Sequence, residues 1–288
     1  KMYLKSSLSH RSQEPENSVL YVVGTPIGNL NDISTRAIKI LRNVDLIACE
    51  DTRETNKIMN RFEIKNKLIS FNKNNSFKKI SILIEMLKSG KSIALVSDAG
   101  MPGICDPGEE LVKNVKLKGL DVICIPGPCA LITALVSSGM PSSSFVFEGF
   151  LPKKKKEREK ILLEISKTYK TTILFESPRR LKNLLKEIKE YCGNEKEIQV
   201  SREITKKHEE NICSNINNVI DYFENKEILG EITIVIKGIK RNHNSEFNKL
   251  ELKNELIELI NAGLSLLAAS KYLAKKKKIK KSLIYNLY

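Results

Sequence analysis

The feature that most constrains the fold is a repeated alternation of short apolar runs and amphipathic segments between residues 19 and 139. Apolar runs at 19–23, 45–50, 67–71, 92–98 and 121–125 are typical of buried strands. The segments 32–42, 52–62, 76–89 and 131–138 carry apolar residues at helical spacing. Strands that alternate with helices predict an α/β domain with a mostly parallel sheet covered on both faces.

Capping residues predict where several of these helices begin and end. Gly90 follows the third amphipathic segment, where a helix commonly ends in a glycine. Asp106 precedes Pro107 and stands three residues before Glu109, a pattern that predicts a further helix with Asp106 as its N-cap. Asp51 either caps the second helix or forms an ion pair with a neighbouring arginine.

Each of four predicted strands runs directly into a polar or glycine-rich loop. These loops read GTPIGNL, EDTR, SDAGMPG and PGPCA. The carboxyl ends of parallel strands meet at one edge of a sheet, which is where ligands bind in such folds. Asp98 ends its strand beside exposed backbone amides, so it suits a ligand with an ammonium group or a ribose hydroxyl. Ordinary tight turns and an Asx turn at Asp98 are the structural alternatives.

The remaining chain divides by composition into further segments. Residues 1–18 are polar and predict a flexible N-terminal tail, and 19–139 form the α/β domain with cofactor and substrate loops. Residues 140–152 are expected to be a linker, followed by a second α/β domain over 153–238. Residues 239–288 predict a small, basic, helical extension.

The charge of the chain points to an anionic partner. Among 288 residues, 49 are Lys or Arg and 34 are Asp or Glu, which gives a formal charge of +15. Such an excess is typical of proteins that bind nucleic acid, although a lysine-rich proteome is the alternative explanation. Lysine runs at 153–156 and 275–278 suit contacts with phosphates that do not depend on base sequence.

Membrane insertion and metal binding are not expected from the sequence. The chain contains no apolar stretch of about 18 residues, so no transmembrane span is predicted. The six cysteines form no CxxC pair and the three histidines are scattered, which predicts no metal site. Unpaired cysteines within apolar runs favour a reducing, cytoplasmic location.

Seven motifs in register resemble one family. VGTPIGNLNDIS, ACEDTR, SDAGMPGICDPG, IPGPCA, EGFLPKK, FESPRR and SREITKKHEE are similar to those of the bacterial 16S ribosomal RNA 2′-O-ribose methyltransferase I group of the tetrapyrrole (corrin/porphyrin) methylase superfamily. The resemblance implies two α/β domains, with S-adenosylmethionine in the cleft between them. It also implies a homodimer that methylates a cytidine ribose of 16S rRNA in the decoding region of the small ribosomal subunit.

The resemblance assigns roles to individual residues. It implies that one set lines the cofactor: Gly24, Pro26, Gly28, Asp98, Ala99, Gly100, Pro102, Gly127, Pro128, Ala130, Gly230 and Glu231. It implies that Arg179, Arg202 and Lys206 face the cleft and contact RNA, and Arg53 is a further candidate from the EDTR loop. Asp98, Glu176 and Glu203 are the candidates for a general base, and the sequence does not choose among them.

This chain departs from the family pattern at three positions. Met101 stands where the family usually has Thr, Cys105 where it has Ser, and Lys73 where it tends to have Glu. A Met side chain donates no hydrogen bond and a Cys thiol donates only a weak one, so the hydroxyl hydrogen bonds of Thr and Ser are not replaced at positions 101 and 105. Contacts made by the backbone there are expected to persist. Two other functions stay open at this point. One is methylation of a tetrapyrrole precursor, and the other is non-catalytic RNA binding in ribosome assembly.

Overall fold

A computed structural model describes residues 14–240, 249–277 and 279–288. The chain forms two compact units, residues 1–238 and 239–288. The predicted tail at 1–18 lies mostly outside the described residues. Its described end is not free of contacts, because the buried Glu14 carboxylate pairs with the Arg36 guanidinium at 2.5 Å.

The first sheet of the larger unit is entirely parallel. It contains β1 (Val19–Val23), β2 (Leu46–Cys49), β3 (Leu68–Ser70), β4 (Ile93–Val96) and β5 (Asp121–Ile125). The strands lie in the order β3-β2-β4-β1-β5. Every residue of the three central strands β1, β2 and β4 is apolar and buried, as expected when helices cover both faces. The predicted parallel α/β sheet is therefore confirmed.

Helices on the two faces of this sheet complete its two hydrophobic cores. They are α1 (Thr35–Asn43), α2 (Thr52–Arg61), α3 (Ser76–Lys88) and α4 (Glu109–Leu117), while α5 (Ala130–Ser138) follows β5 and packs elsewhere. Helices α1 and α2 pack on one face, and α3 and α4 pack on the other. The Asp51 carboxylate caps α2 by accepting from the Arg53 N–H at 2.8 Å, and Gly90 follows α3 with a φ of +91°.

The second sheet is mixed rather than parallel. It contains β6 (Phe145–Phe150), β7 (Thr171–Glu176), β8 (Glu197–Arg202), β9 (Glu210–Asn215) and β10 (Ile232–Ile236) in the order β6-β7-β10-β8-β9. Only β6 and β7 are parallel. Helices α6 (Lys155–Lys167), α7 (Pro178–Cys192) and α8 (Ile216–Glu224) cover one face, while α5 packs against the other. The apolar cluster between α5 and the second sheet also includes Ile27, from the loop that follows β1.

Two details differ from the sequence-based expectations. The sequence predicts a short strand at 145–147, but strand β6 continues to Phe150 within the expected linker at 140–152, and a bulge between Phe147 and Gly149 keeps it paired with β7. Asp106 does not cap α4. The helix begins at Glu109 after Gly108, and the Asp106 carboxylate turns inward toward Ser97.

The smaller unit consists of three short helices, α9 (Lys249–Asn261), α10 (Leu266–Lys277) and α11 (Lys281–Tyr285). Leu256, Leu273 and Ile284 form its buried core. Glu255 on α9 pairs with Lys277 on α10 at 2.5 Å. Within the described part of the chain, no helix is both long and apolar enough to cross a membrane.

Candidate active site

A cavity of about 490 Å³ opens between the two sheets of the larger unit. Loops that follow β1, β2, β4 and β5 form one wall, and the ends of β6, β7 and β10 form the other. A cavity of this size with a largely apolar wall and a few polar groups is typical of small-ligand sites. Its wall residues are Ile27, Glu50, Asp98, Ala99, Met101, Ile104, Cys105, Asp106, Cys129, Ala130, Phe150, Phe175, Glu176, Ser177, Pro178, Gly230, Glu231, Ile232 and Thr233.

The first wall is held together by backbone contacts between its loops. Thr25 and Gly100 exchange hydrogen bonds between their peptide groups at 2.9 and 3.1 Å. A Cβ atom on Gly127 would lie 2.7 Å from the Cα of Gly24, a distance that real Cβ atoms do not tolerate. Two glycines are therefore required for the loops after β1 and β5 to approach each other, and Ala130 at the start of α5 can then reach the wall.

Three carboxylates gather at one end of the cavity. Burial raises the pKa of Asp98, and this outweighs the hydrogen bond that its carboxylate accepts from the Asp51 N–H at 2.9 Å. Burial and the neighbouring acids likewise raise the pKa of Glu50, and burial raises that of Asp106. Mutually repelling acids in a partly buried site favour a cationic ligand, since its charge would relieve their repulsion.

Lys73 stands beside this acidic end. Its ammonium donates to the Cys105 carbonyl at 3.2 Å. Burial raises the pKa values of Glu50 and Asp106, and the charge of Lys73 partly opposes this increase. The acid that the family tends to have at this position is thus replaced by a cation. The other two departures, Met101 and Cys105, both lie in the cavity wall.

The second wall comes from the edge of the mixed sheet. Antiparallel pairing sets Ile232 at the start of β10 beside Glu176 at the end of β7. The buried Glu176 carboxylate accepts from the Ser177 N–H at 2.7 Å and lies 3.2 Å from the Arg180 guanidinium. Phe175 packs edge-on against a neighbouring phenylalanine and presents a flat apolar surface to the cavity.

Some of the predicted cofactor residues line the cavity, and the others lie in the loops behind its lining. Asp98, Ala99, Ala130, Gly230 and Glu231 lie in the wall. The others belong to the same loops but not to the wall that the described residues form: Gly24, Pro26, Gly28, Gly100, Pro102, Gly127 and Pro128.

Two of the three candidate bases line the cavity, and one does not. Asp98 and Glu176 are wall residues, whereas Glu203 lies outside the wall formed by the described residues. The Glu203 carboxylate instead accepts from the Lys206 ammonium at 2.8 Å and the Glu231 N–H at 2.9 Å. Although burial acts to raise it, the pKa of Glu203 is lowered by these contacts.

The four arginine and lysine residues predicted to contact RNA differ in their partners. Arg53 is paired with Asp51 at 2.6 Å, and Arg202 with Glu210 at 3.1 Å. Lys206 is held between two glutamates. Arg179 is exposed and makes no hydrogen bond or ion pair with any residue that the structure describes.

Sequence reasoning missed most of the apolar wall. Ile27, Ile104, Phe150 and Ile232 gave no separate signal, because an apolar residue at a strand end is typical of a core. Glu50 was visible in the EDTR loop, and Asp106 was misread as a helix cap. Among the described residues, no group of three or more His, Cys, Asp or Glu side chains could hold a metal ion.

Comparisons with known proteins agree with this architecture. The sequence profile of the family described as Tetrapyrrole (Corrin/Porphyrin) Methylases matches residues 19–219. The chain is 48% identical over 219 residues to the Ribosomal RNA small subunit methyltransferase I of Thermotoga maritima, covering 76% of this chain and 98% of that protein. It is 39% identical over 288 residues to the protein of the same name from Halalkalibacterium halodurans, covering 99% of each.

A solved structure shows the same fold at low sequence identity. The crystal structure of uroporphyrin-III C-methyl transferase from Thermus thermophilus, complexed with S-adenyl homocysteine, superposes with a TM-score of 0.53 at 13% identity. The match covers 75% of this chain and 96% of that one. Together with the sequence matches, the shared fold means that this chain belongs to the tetrapyrrole (corrin/porphyrin) methylase family, within its ribosomal RNA small subunit methyltransferase I group.

Proposed function

We propose that this protein is an S-adenosylmethionine-dependent ribosomal RNA methyltransferase that methylates the ribose 2′-hydroxyl of a cytidine in the decoding region of 16S rRNA. The named relatives support the rRNA substrate and the methyl transfer. The cytidine, the 2′-oxygen and the assembled small subunit as substrate are the finer parts of the proposal.

The observation that carries the proposal is a contrast of charge. Five acidic side chains line the cavity, and no lysine or arginine of the described chain does. The whole sequence nevertheless carries a formal charge of +15. A cationic small molecule fits such a cavity, while the basic exterior attracts a polyanion. S-adenosylmethionine, with its sulfonium and ammonium groups, has the required charge, and its adenine suits the apolar side near Phe175 and Ile232.

The residues of the chain supply positioning and electrostatics. Bound S-adenosylmethionine supplies an electrophilic methyl group. Asp98 lies where it can bind a cationic or hydroxyl group of the cofactor, and the peptide groups at 230 and 231 can approach its planar base closely. Alignment of the ribose oxygen with the methyl carbon can contribute about 7–11 kcal/mol to lowering the barrier.

Proton removal from the ribose hydroxyl calls for an acceptor near the methyl group. Asp98 and Glu176 are the candidates that line the cavity. The raised pKa of Asp98 makes its carboxylate a better proton acceptor than an ordinary aspartate. Both carboxylates accept one backbone N–H, but only Glu176 also faces a guanidinium, that of Arg180, so we favour Asp98 for this role.

Basic surfaces are available for the RNA. The lysines at 153–156 are exposed at the start of α6, and Lys275 is exposed near the end of α10, where Lys276 and Lys277 are paired with Glu255. Lys278, the last residue of the second run, lies outside the described residues. These side chains can contact phosphates without reading base sequence. A homodimer and a cytoplasmic location remain parts of the proposal that follow from the family.

The direct test is methyl transfer from labelled S-adenosylmethionine to small ribosomal subunits from cells that lack the enzyme, with the product nucleoside identified. We expect 2′-O-methylcytidine. Free 16S rRNA serves as a parallel substrate and tells whether the assembled subunit is required. Removal of residues 239–288 should lower RNA affinity, and undiminished affinity would count against an RNA role for this unit.

Other outcomes would identify the alternatives. Tight cofactor binding without transfer to either RNA substrate would point to another acceptor, such as a tetrapyrrole precursor. Failure to bind S-adenosylmethionine, with RNA binding retained, would instead identify a non-catalytic RNA-binding factor.

A further inference from the structure

We infer that the loop at residues 203–209, between β8 and β9, ties the two walls of the cavity together, and that Glu203, Thr205 and Lys206 in it are positioning residues for the cofactor site. This bridging loop contacts the first wall through the loop after β1 and the second wall through the residues that precede β10. The inference rests on the proposed function, because it assigns these residues to cofactor binding instead of proton transfer or RNA contact.

The first connection fixes Glu231 of the second wall. The Glu203 N–H donates to the Glu231 carbonyl at 3.0 Å, and the Glu203 carboxylate accepts from the Glu231 N–H at 2.9 Å. The Lys206 ammonium joins the carboxylates of both glutamates, at 2.8 and 2.9 Å. A side chain at Gly230 would collide with Glu203. The Glu231 backbone, beside the cavity, is thus held from behind by two hydrogen bonds, and its carboxylate by Lys206.

The second connection fixes the loop after β1. The Asn29 N–H donates to the Thr205 hydroxyl at 3.0 Å. Gly28 packs so closely that a Cβ atom there would lie 2.7 Å from the same hydroxyl oxygen. Ile204 is buried in one apolar cluster with Ile27, which is itself a wall residue. The position of Ile27 in the first wall therefore depends on the bridging loop.

The backbone of the bridging loop is strained in the way that positioning devices often are. Glu203 has a φ of +53° and Thr205 a φ of +68°, a left-handed conformation that β-branched residues rarely adopt. The Thr205 N–H donates to the Glu209 carboxylate at 2.7 Å and helps to maintain this conformation. Strain of this kind persists only where the surrounding contacts over-determine the geometry, and it is concentrated at functional sites.

The charges of the bridging loop are already used within the protein. Lys206 is two-thirds or more covered and contacts two carboxylates, whereas its neighbour Lys207 is exposed. Glu203, Thr205 and Lys206 stand outside the cavity wall as the described residues form it. They can therefore influence a bound cofactor through the wall residues that the loop contacts, Ile27, Gly230 and Glu231.

The test compares two substitutions that each remove one positive charge from the same loop, Lys206→Met and Lys207→Met. Affinity for S-adenosylhomocysteine is measured by calorimetry, and affinity for 16S rRNA by filter binding. We expect Lys206→Met to weaken cofactor affinity roughly 3- to 10-fold and to raise KM for the cofactor more than it lowers kcat. Lys207→Met should leave cofactor affinity and KM for the cofactor unchanged. Thr205→Val should behave like Lys206→Met, and Thr205→Ser should restore affinity.

Amide hydrogen exchange gives a readout that does not depend on cofactor or RNA. Lys206→Met should speed exchange in peptides covering 228–232, and Thr205→Val in peptides covering 24–31, since those segments donate to or pair with the bridging loop. Equal loss of RNA affinity in both lysine variants, with unchanged cofactor affinity and exchange, would overturn the inference and make Lys206 an RNA contact. If the wild-type protein does not bind S-adenosylhomocysteine, the proposed function fails, while the exchange data still decide whether the bridging loop holds the two walls.

Discussion

The two walls of the cavity are built by different means. In the first wall, backbone packs directly on backbone, as Gly24 and Gly127 show. In the second wall, the backbone at Gly230 and Glu231 is held by side chains of the bridging loop. Parallel strands bring several loops to one edge without help, whereas the mixed sheet needs specific side-chain contacts to present its edge. The first wall should therefore be less tolerant of added atoms, and the second more tolerant because side chains can move.

The largest expected effect comes from adding a methyl group to each wall. Gly127→Ala places Cβ 2.7 Å from a backbone atom, so we expect a loss of about 3 kcal/mol in the free energy of unfolding, measured with urea. Gly230→Ala has a φ of +88° and meets the end of the Glu203 side chain, which can shift by giving up its hydrogen bonds, so it should cost about 1–2 kcal/mol. Gly139→Ala is the control, with a φ of +64° and no atom within 4 Å. A greater loss in Gly230→Ala than in Gly127→Ala would reverse the comparison.

The next effect compares one carboxylate from each wall. Asp98→Ala should weaken S-adenosylmethionine binding about 10- to 100-fold in calorimetry, because a charge-assisted hydrogen bond is lost. The Glu231 side chain is 73% exposed, so Glu231→Ala should cost less than about fivefold. Retained affinity in Asp98→Ala would remove Asp98 from the cofactor site.

The acidic groups near the two walls should respond differently to a fall in pH, because the pKa of Asp98 is raised and that of Glu203 is lowered. Burial raises the pKa of Asp98, so cofactor affinity should begin to fall at a higher pH than for an ordinary aspartate. Stability should not fall with it, because protonation of a group with a raised folded pKa stabilises the fold, and that stability is lost only as pH rises through this pKa. Glu203 and Glu210 have lowered pKa values despite burial, so the stability they provide is present above their unfolded pKa and is lost as pH falls through the folded value.

Calorimetry and urea unfolding from about pH 7 to about pH 4 measure the two curves independently. Asp98→Asn should flatten the affinity curve in this range and leave the stability curve nearly unchanged. If cofactor affinity and stability fell over the same pH range in the wild-type protein, the expected difference between Asp98 and the pair Glu203 and Glu210 would be contradicted.

The smallest effect concerns single arginines beside each wall. Arg179 is exposed and unpaired among the described residues, so Arg179→Ala should weaken RNA binding a few-fold and reduce the salt slope by about one. The charge of Arg53 is offset by Asp51, so Arg53→Ala should change the slope less. Equal slopes in the two variants, from titrations at several salt concentrations, would contradict this difference.

The first wall could be predicted from sequence far better than the second. Four of the five parallel strands end in a recognisable loop, so the order of motifs along the chain is enough to place Asp98 and the PGPCA loop at one edge of the sheet. In the second region, β9 was not predicted and β6 was partly taken for a linker, because short edge strands have weak local signals. Asp106 was misread because its DPGE pattern fits a helix N-terminus as well as a cavity wall.

The sequence by itself determined the alternation of strands and helices, the loops at the strand ends, the basic charge and the family, because local periodicity and ordered motifs encode these directly. Only the tertiary structure decided what the charged residues do. Glu203 and Lys206 look like a base and an RNA contact in sequence, yet the fold joins both of them to Glu231. These contacts depend on distances between segments far apart in the chain, since Lys206 and Glu231 are 25 positions apart, and no local pattern records those distances.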